Sequence, residues 1–166
     1  MNFDCCIAYF KSLGLISGGF FYKNLSNVIA SVTKNDYEFN GHVYDRYTQP
    51  QNAGNADLYG FELSLQRKLD FLPSVFKKFS VFANYTYTQS KLKDITLDGR
   101  ENEELPLVGT PKNLLNASLS YDTKKLDFRV SYNFAGSFIE EYNDEKFYDR
   151  WCMIKSIISI SIWIIK

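Results

Sequence analysis

Histidine, cysteine, net charge and long apolar runs are all scarce in this chain, and each shortage removes a class of function. His42 is the sole histidine, and the cysteines are the adjacent Cys5 and Cys6 and the isolated Cys152. No Cys/His spacing suited to a metal arises, so no metal site is expected and the thiols read as incidental. One histidine, with no nucleophile motif around any serine, gives no catalytic triad, and no glycine-rich loop exists to cradle a phosphate. The chain is therefore expected to be no enzyme and to use no cofactor. Lys and Arg number 19, as do Asp and Glu, so nothing marks a nucleic-acid binder. No run of about 18 apolar residues is present, which excludes a spanning helix. Residues 153–166 come closest, but Ser156, Ser159 and Ser161 interrupt them. Met1 is followed by Asn2, Phe3 and Asp4, so no secretory leader is visible.

Aromatic rings are abundant instead. They make up 17% of the chain, with Tyr and Phe far outnumbering Trp. Such residues favour strands and sit at membrane interfaces. Four segments alternate with period two, the strand signature. One row of each is Tyr59, Phe61, Leu63, Leu65; Phe79, Val81, Ala83, Tyr85, Tyr87; Leu115, Ala117, Leu119, Tyr121; and Leu126, Phe128, Val130, Tyr132, Phe134. Every member is apolar or aromatic. The opposite rows run Gly60, Glu62, Ser64, Gln66; Ser80 to Thr88; Asn116 to Asp122; and Asp127 to Ala135, where only Phe82 and Ala135 are clearly apolar. Residues 15–29 form a further strand, with Ile16, Gly18, Phe20 and Tyr22 on one face and an irregularity near Asn24. A weaker one covers 2–10, and a seventh uses Ile158, Ile160, Ile162 and Ile164.

The connections alternate in length. Those at 11–14, 70–78 and 122–125 are short or moderate; those at 34–50, 92–108 and 140–149 are longer. Antiparallel strands place successive connections at opposite ends, so one end carries turns and the other long loops, as in outer-membrane barrels. A soluble β-sandwich also has one apolar face per strand. Three features favour the barrel. The strand from Leu126 alternates as far as Phe138, long enough to cross a bilayer. Rings gather near the loop-side ends (Tyr85, Tyr87, Tyr132, Phe134, Phe138), with Tyr121 near the other. Charged Glu62, Lys68, Asp127 and Arg129 on the wet face suit a hydrated interior. The expected fold is all-β: an antiparallel up-and-down meander of about seven strands, part of a transmembrane β-barrel and not closed. A soluble sandwich binding through its long loops stays open as the alternative, with a smaller complete barrel behind it.

Phe61, Leu63, Leu65, Val81, Ala83, Tyr85, Leu119, Tyr121, Phe128, Val130 and Tyr132 are expected to face outer-membrane lipid; Ala117, on the same row, is left unassigned. Tyr37, Phe39, His42, Tyr44 and Tyr47 in the 34–50 loop are the candidate ligand contacts, against rings that merely pack on one another. Glu101, Glu103 and Glu104, and Glu140, Glu141, Asp144 and Glu145, read as solvated acidic loops rather than cation sites.

Several passages resemble the C-terminal barrel region of TonB-dependent receptors. Gly18-Gly19-Phe20-Phe21-Tyr22-Lys23-Asn24-Leu25 looks like a family strand turning into a large outer loop. Asn52-Ala53-Gly54-Asn55-Ala56-Asp57-Leu58-Tyr59-Gly60-Phe61-Glu62 is similar to a recurring strand start. Leu105-Pro106-Leu107-Val108-Gly109-Thr110-Pro111-Lys112-Asn113 resembles the start of a late strand. Together these cover roughly residues 2–150. Gly60 is expected where a neighbour approaches closely, and Pro106 and Pro111 outside regular pairing. The resemblance implies an outer-membrane receptor taking up a scarce siderophore, cobalamin or glycan through a plugged barrel of about 22 strands. It also implies that the TonB complex is reached only through a plug, for which this chain has no candidate segment. Residues 1–150 read as partial barrel. The abrupt change to Ile and Ser after Trp151 reads as an aberrant tail, 151–166, from an altered frame, so that transport by this chain alone is not expected.

Overall fold

A computed structural model describes residues 1–11, 14–97, 99–100, 102–143, 150–152 and 155–164. Nine strands form among these residues: β1 (Asn2–Lys11), β2 (Gly14–Phe39), β3 (His42–Lys68), β4 (Phe79–Lys93), β5 (Asn113–Asp122), β6 (Leu126–Ala135), β7 (Phe138–Asn143), β8 (Arg150–Cys152) and β9 (Lys155–Ile164). Seven of them, β1 to β6 and β9, make an antiparallel meander in which each pairs with the next. Its edges, β1 and β9, are joined by no ladder among the described residues, so the sheet is open.

Directly opposite residues of an antiparallel ladder share a face. Reading across the sheet, Tyr9, Ile16, Leu65, Ala83, Ala117, Tyr132 and Ile158 stand in one row. Below it Val81, Leu119, Val130 and Ile160 continue the same face. The other face carries Ser17, Ser64, Asn84, Asn116 and Asn133 in line. Lys155–Ile164 keeps this division: its isoleucines at even positions from 158 join the apolar face and Ser159 and Ser161 the polar one. A sandwich would stack a second sheet on the apolar face. None is found among the described residues; Leu63 and Leu119 remain 51% and 39% exposed.

Three expectations needed correction. Residues 34–50 are not a loop: β2 and β3 continue past the membrane-length part as one long hairpin, bulged near Leu25 and Val28. It closes at Asn40-Gly41, both with positive φ (52° and 75°), the two-residue turn whose twist matches paired strands. The strand from Leu126 stops at Ala135 rather than Phe138, because Gly136-Ser137 breaks the ladder. Finally, part of the 140–149 connection is ordered. β7 crosses to bridge β2 in parallel at Val32–Tyr142 and Thr33–Asn143, and pairs with β8. Residues 12–13 of the first turn, Glu101, Asp144 and Glu145 lie outside the described residues. Pro106 and Pro111 fall outside the strands as expected, and Gly60 sits where an added Cβ would meet the Tyr87 carbonyl oxygen at 1.9 Å.

Candidate functional site

Two bands of rings bracket the apolar face. At the short-turn end the Phe79 and Tyr121 rings lie 4.8 Å apart. At the other end Phe61 is ringed by Phe20, Tyr85 and Tyr87 at 6.3, 5.9 and 5.6 Å. From Phe79 to Tyr87 a tilted strand rises roughly 20 Å along the barrel normal, close to the apolar band of an outer-membrane barrel. All the residues expected to face lipid stand on this bracketed face.

Above the second band the two faces exchange polarity. The face that carries Tyr22 and Tyr59 goes on to Asn24, Asp57 and Lys91. The face that was polar goes on to Leu25, Ala56 and Leu92, which are opposite one another. These apolar residues are the base of the only core among the described residues: Ala30, Val32, Ala53, Ala56, Leu92, Leu97, Leu105, Ile139 and Tyr142. The connection between β4 and β5 folds over that face, and β7 packs on it. The Leu92 N–H donates to the Leu105 carbonyl at 2.8 Å and Gly109 N–H to the Ile139 carbonyl at 2.8 Å. The Tyr142 hydroxyl donates to the Pro106 carbonyl at 2.6 Å. The polarity exchange therefore marks the level at which the open sheet gives way to a folded cap.

Arg100 is the centre of the cap. It is 1% exposed. Its guanidinium donates to the Asn143 carbonyl at 2.9 Å and to Glu103 at 2.8 Å, and lies 5.9 Å from the centre of the Tyr142 ring. Glu103 is thus partnered rather than simply solvated, and Glu104 pairs with Lys91. Glu141 likewise accepts from Arg46 and from the Thr33 hydroxyl, fastening β7 to the long hairpin. On the outer side Asp57 accepts from Asn24 at 2.7 Å and Tyr22 at 3.0 Å and pairs with Lys93. The Lys93 ammonium, with the Asn24 amide, holds the Asp57 carboxyl below its usual range, and the same contact pushes Lys93 up. A carboxylate two positions from Tyr59 on an otherwise oily row was the sequence signal for this cluster. Nothing comparable pointed to Arg100.

Of the five candidate ligand contacts, the structure brings four together. Tyr37, Phe39, Tyr44 and Tyr47 line a cleft of about 310 Å³ near the hairpin tip. The Tyr37 and Tyr47 rings stack at 4.4 Å and 15°. Their ladder positions alone place them on opposite faces; Asp36, at φ 50°, breaks the alternation between them. His42 is exposed at the turn and does not line the cleft. Among the described residues no group of acidic, His and Cys side chains is placed to hold a metal.

The fold is similar to those of solved uptake receptors and of a transporter. The ferric yersiniabactin uptake receptor FyuA from Yersinia pestis superposes with a TM-score of 0.65 at 17% identity, over 97% of this chain and 21% of that one. The copper transporter OprC gives 0.65 at 13% identity, over 97% and 23%. A mutant of the ferric enterobactin receptor PfeA from Pseudomonas aeruginosa gives 0.60 at 17%, over 97% and 22%. The chain thus spans about a fifth of the length of these structures. No curated protein matches by sequence. The family described as TonB dependent receptor-like, beta-barrel, matches residues 3–151, ending where the Ile/Ser-rich segment begins. With that match over most of its length, the chain belongs to the TonB-dependent receptor β-barrel family.

Proposed function

We propose that this chain forms part of the wall of an outer-membrane receptor barrel whose whole takes up a scarce ligand of the siderophore, cobalamin or glycan type. The observation that carries the reading is the uncovered apolar face running across seven strands and ending where the faces exchange polarity. In this reading Phe61, Leu63, Leu65, Val81, Ala83, Tyr85, Leu119, Tyr121, Phe128, Val130 and Tyr132 touch lipid. The Ser and Asn row faces a water-filled interior, and the cap stands outside the membrane. The Tyr37, Phe39, Tyr44 and Tyr47 cleft is the ligand-contacting surface of this part of the wall. Coupling to TonB goes through a plug, and the open edges of β1 and β9 are completed by further wall strands. An open sheet encloses no channel, so the chain by itself does not transport.

The test places single tryptophans in a Trp151→Phe, Trp163→Phe background and reconstitutes the chain in vesicles with brominated acyl chains. Leu63→Trp should be strongly quenched and Ser64→Trp weakly. Equal quenching of the two would overturn the assignment of faces.

A further inference from the structure

The connection between β3 and β4 exposes more apolar surface than a turn in water requires. Phe71, Val75 and Phe76 are 61%, 53% and 54% exposed. The segment is nonetheless tied down. The Leu69 N–H donates to the Phe79 carbonyl at 2.8 Å, Leu72 N–H to the Leu69 carbonyl at 3.1 Å, and Ser74–Lys78 forms a short 3-10 helix. Its rings continue the apolar face of the sheet: Phe76 lies 6.2 Å from Phe79, which packs on Tyr121.

Cations accompany these rings. Arg67 occupies the step after Leu65 on the same apolar face, opposite Val81, and its guanidinium lies 4.6 Å from the centre of the Phe71 ring. An arginine on such a face is tolerated where its head reaches the polar layer of a membrane. Lys77 and Lys78 lie on the same turn, Lys124 and Lys125 on the next, and all four are exposed. Among the described residues none of these five cations is in an ion pair. The adjacent carboxylates are Asp70 and the facing pair Asp122 and Asp127, three against five cations, so this surface is positive on balance. Exposed rings beside unpaired cations, continuous with a lipid-facing surface, are the makings of an interfacial anchor.

We propose that residues 67–78, with Lys124 and Lys125 beside them, seat in the headgroup layer on the short-turn side and recognise anionic phospholipid. The proposal rests on the reading that the apolar face touches lipid. Phe71, Val75 and Phe76 enter the layer, and Arg67, Lys77 and Lys78 reach its phosphates.

The test uses the full chain in the tryptophan-free background, with Phe76→Trp as the reporter and Leu63→Trp as the wall control. Vesicles are pure phosphatidylcholine or contain about 30 mol% phosphatidylglycerol, enough to give a negative surface potential. Phe76→Trp should show blue-shifted emission, quenching by lipid brominated near the headgroup, and protection from iodide. The chain should partition about tenfold more strongly into the anionic vesicles. That preference should vanish in the Arg67→Gln, Lys77→Gln, Lys78→Gln variant. It should also vanish for the unaltered chain in about 0.5 M salt, which needs no substitution to fold. Water-like emission from Phe76→Trp while Leu63→Trp is quenched would overturn the anchor and leave the wall intact. Equal partition into both vesicles would overturn the recognition of anionic lipid. An unquenched Leu63→Trp would sink the wall reading and the anchor with it.

Discussion

Gly60 is the position at which one methyl group should do most harm. It sits in β3 between Phe21 on β2 and Thr88 on β4. A Cβ added there would lie 1.9 Å from the Tyr87 carbonyl oxygen and 2.7 Å from the tip of the Phe21 ring. Real Cβ contacts are essentially never shorter than 3.0 Å, so about 1 Å of movement is needed. The obstacle is main chain in a central strand, held by ladders on both sides, so relief requires the strands to part. Overpacking costs about 1–3 kcal/mol, and an unyielding backbone places Gly60→Ala at the upper end. About 3 kcal/mol is roughly a hundredfold in the folding equilibrium. Gly136→Ala is the control: its nearest neighbour would be 3.5 Å away, an ordinary contact. The assay is urea unfolding of the chain in vesicles, followed by tryptophan emission and by trypsin resistance of the strands. Midpoints for Gly60→Ala and Gly136→Ala that agree within about 0.5 kcal/mol would refute the strand spacing argued here.

Other consequences can be measured alongside. Val130→Arg should cost about 2–4 kcal/mol in vesicles and Ser131→Arg far less, since only the first puts a charge against lipid; equal costs would contradict the faces. Arg100→Met removes charged hydrogen bonds from a buried site and should cost about 2 kcal/mol, read as faster thermolysin cleavage beside Leu105 and Leu107 with the wall unaffected. Asp57 has a carboxyl held below its ordinary value of 3.8. Its contribution is therefore fully present above that value and lost as pH falls through the lowered one. The stability gap between the unaltered chain and Asp57→Asn should be constant near neutrality and shrink only below pH 3.8. A gap that closes between pH 5 and 7 would show that another group is responsible.

The sheet was legible because a strand with one apolar and one polar face carries a strict two-residue period. Leu63 against Ser64 and Val130 against Ser131 state the faces outright. The tower formed by the upper parts of β2 and β3 was not. It presents no continuous apolar face, so residues 34–50 lose the alternation and read as loop. The Asn40-Gly41 pair was the available sign, a strong hairpin signal without the flanking pattern that normally accompanies it. The cap was beyond reach for a different reason. Arg100 is satisfied by the carbonyl of Asn143, and Thr33 by Glu141. Such pairings depend on a chain crossing that no local pattern encodes. Of the ligand candidates, the four rings meet in one cleft because aromatic side chains cluster in that stretch, while His42 stands apart from it at the turn.

The parity of the meander limits how this wall can be completed. β1 and β9 are its first and seventh members, and all six seams between them are antiparallel. The two rims consequently point the same way. Identical copies set upright side by side would meet with their rims running in the same sense, a joint of a kind absent from the meander. A ring with every neighbour reversed can be finished only by an odd-numbered stretch that begins and ends on strands of the opposite sense; an upright copy of this chain has the right parity but the wrong sense, so repetition of the chain does not close such a ring.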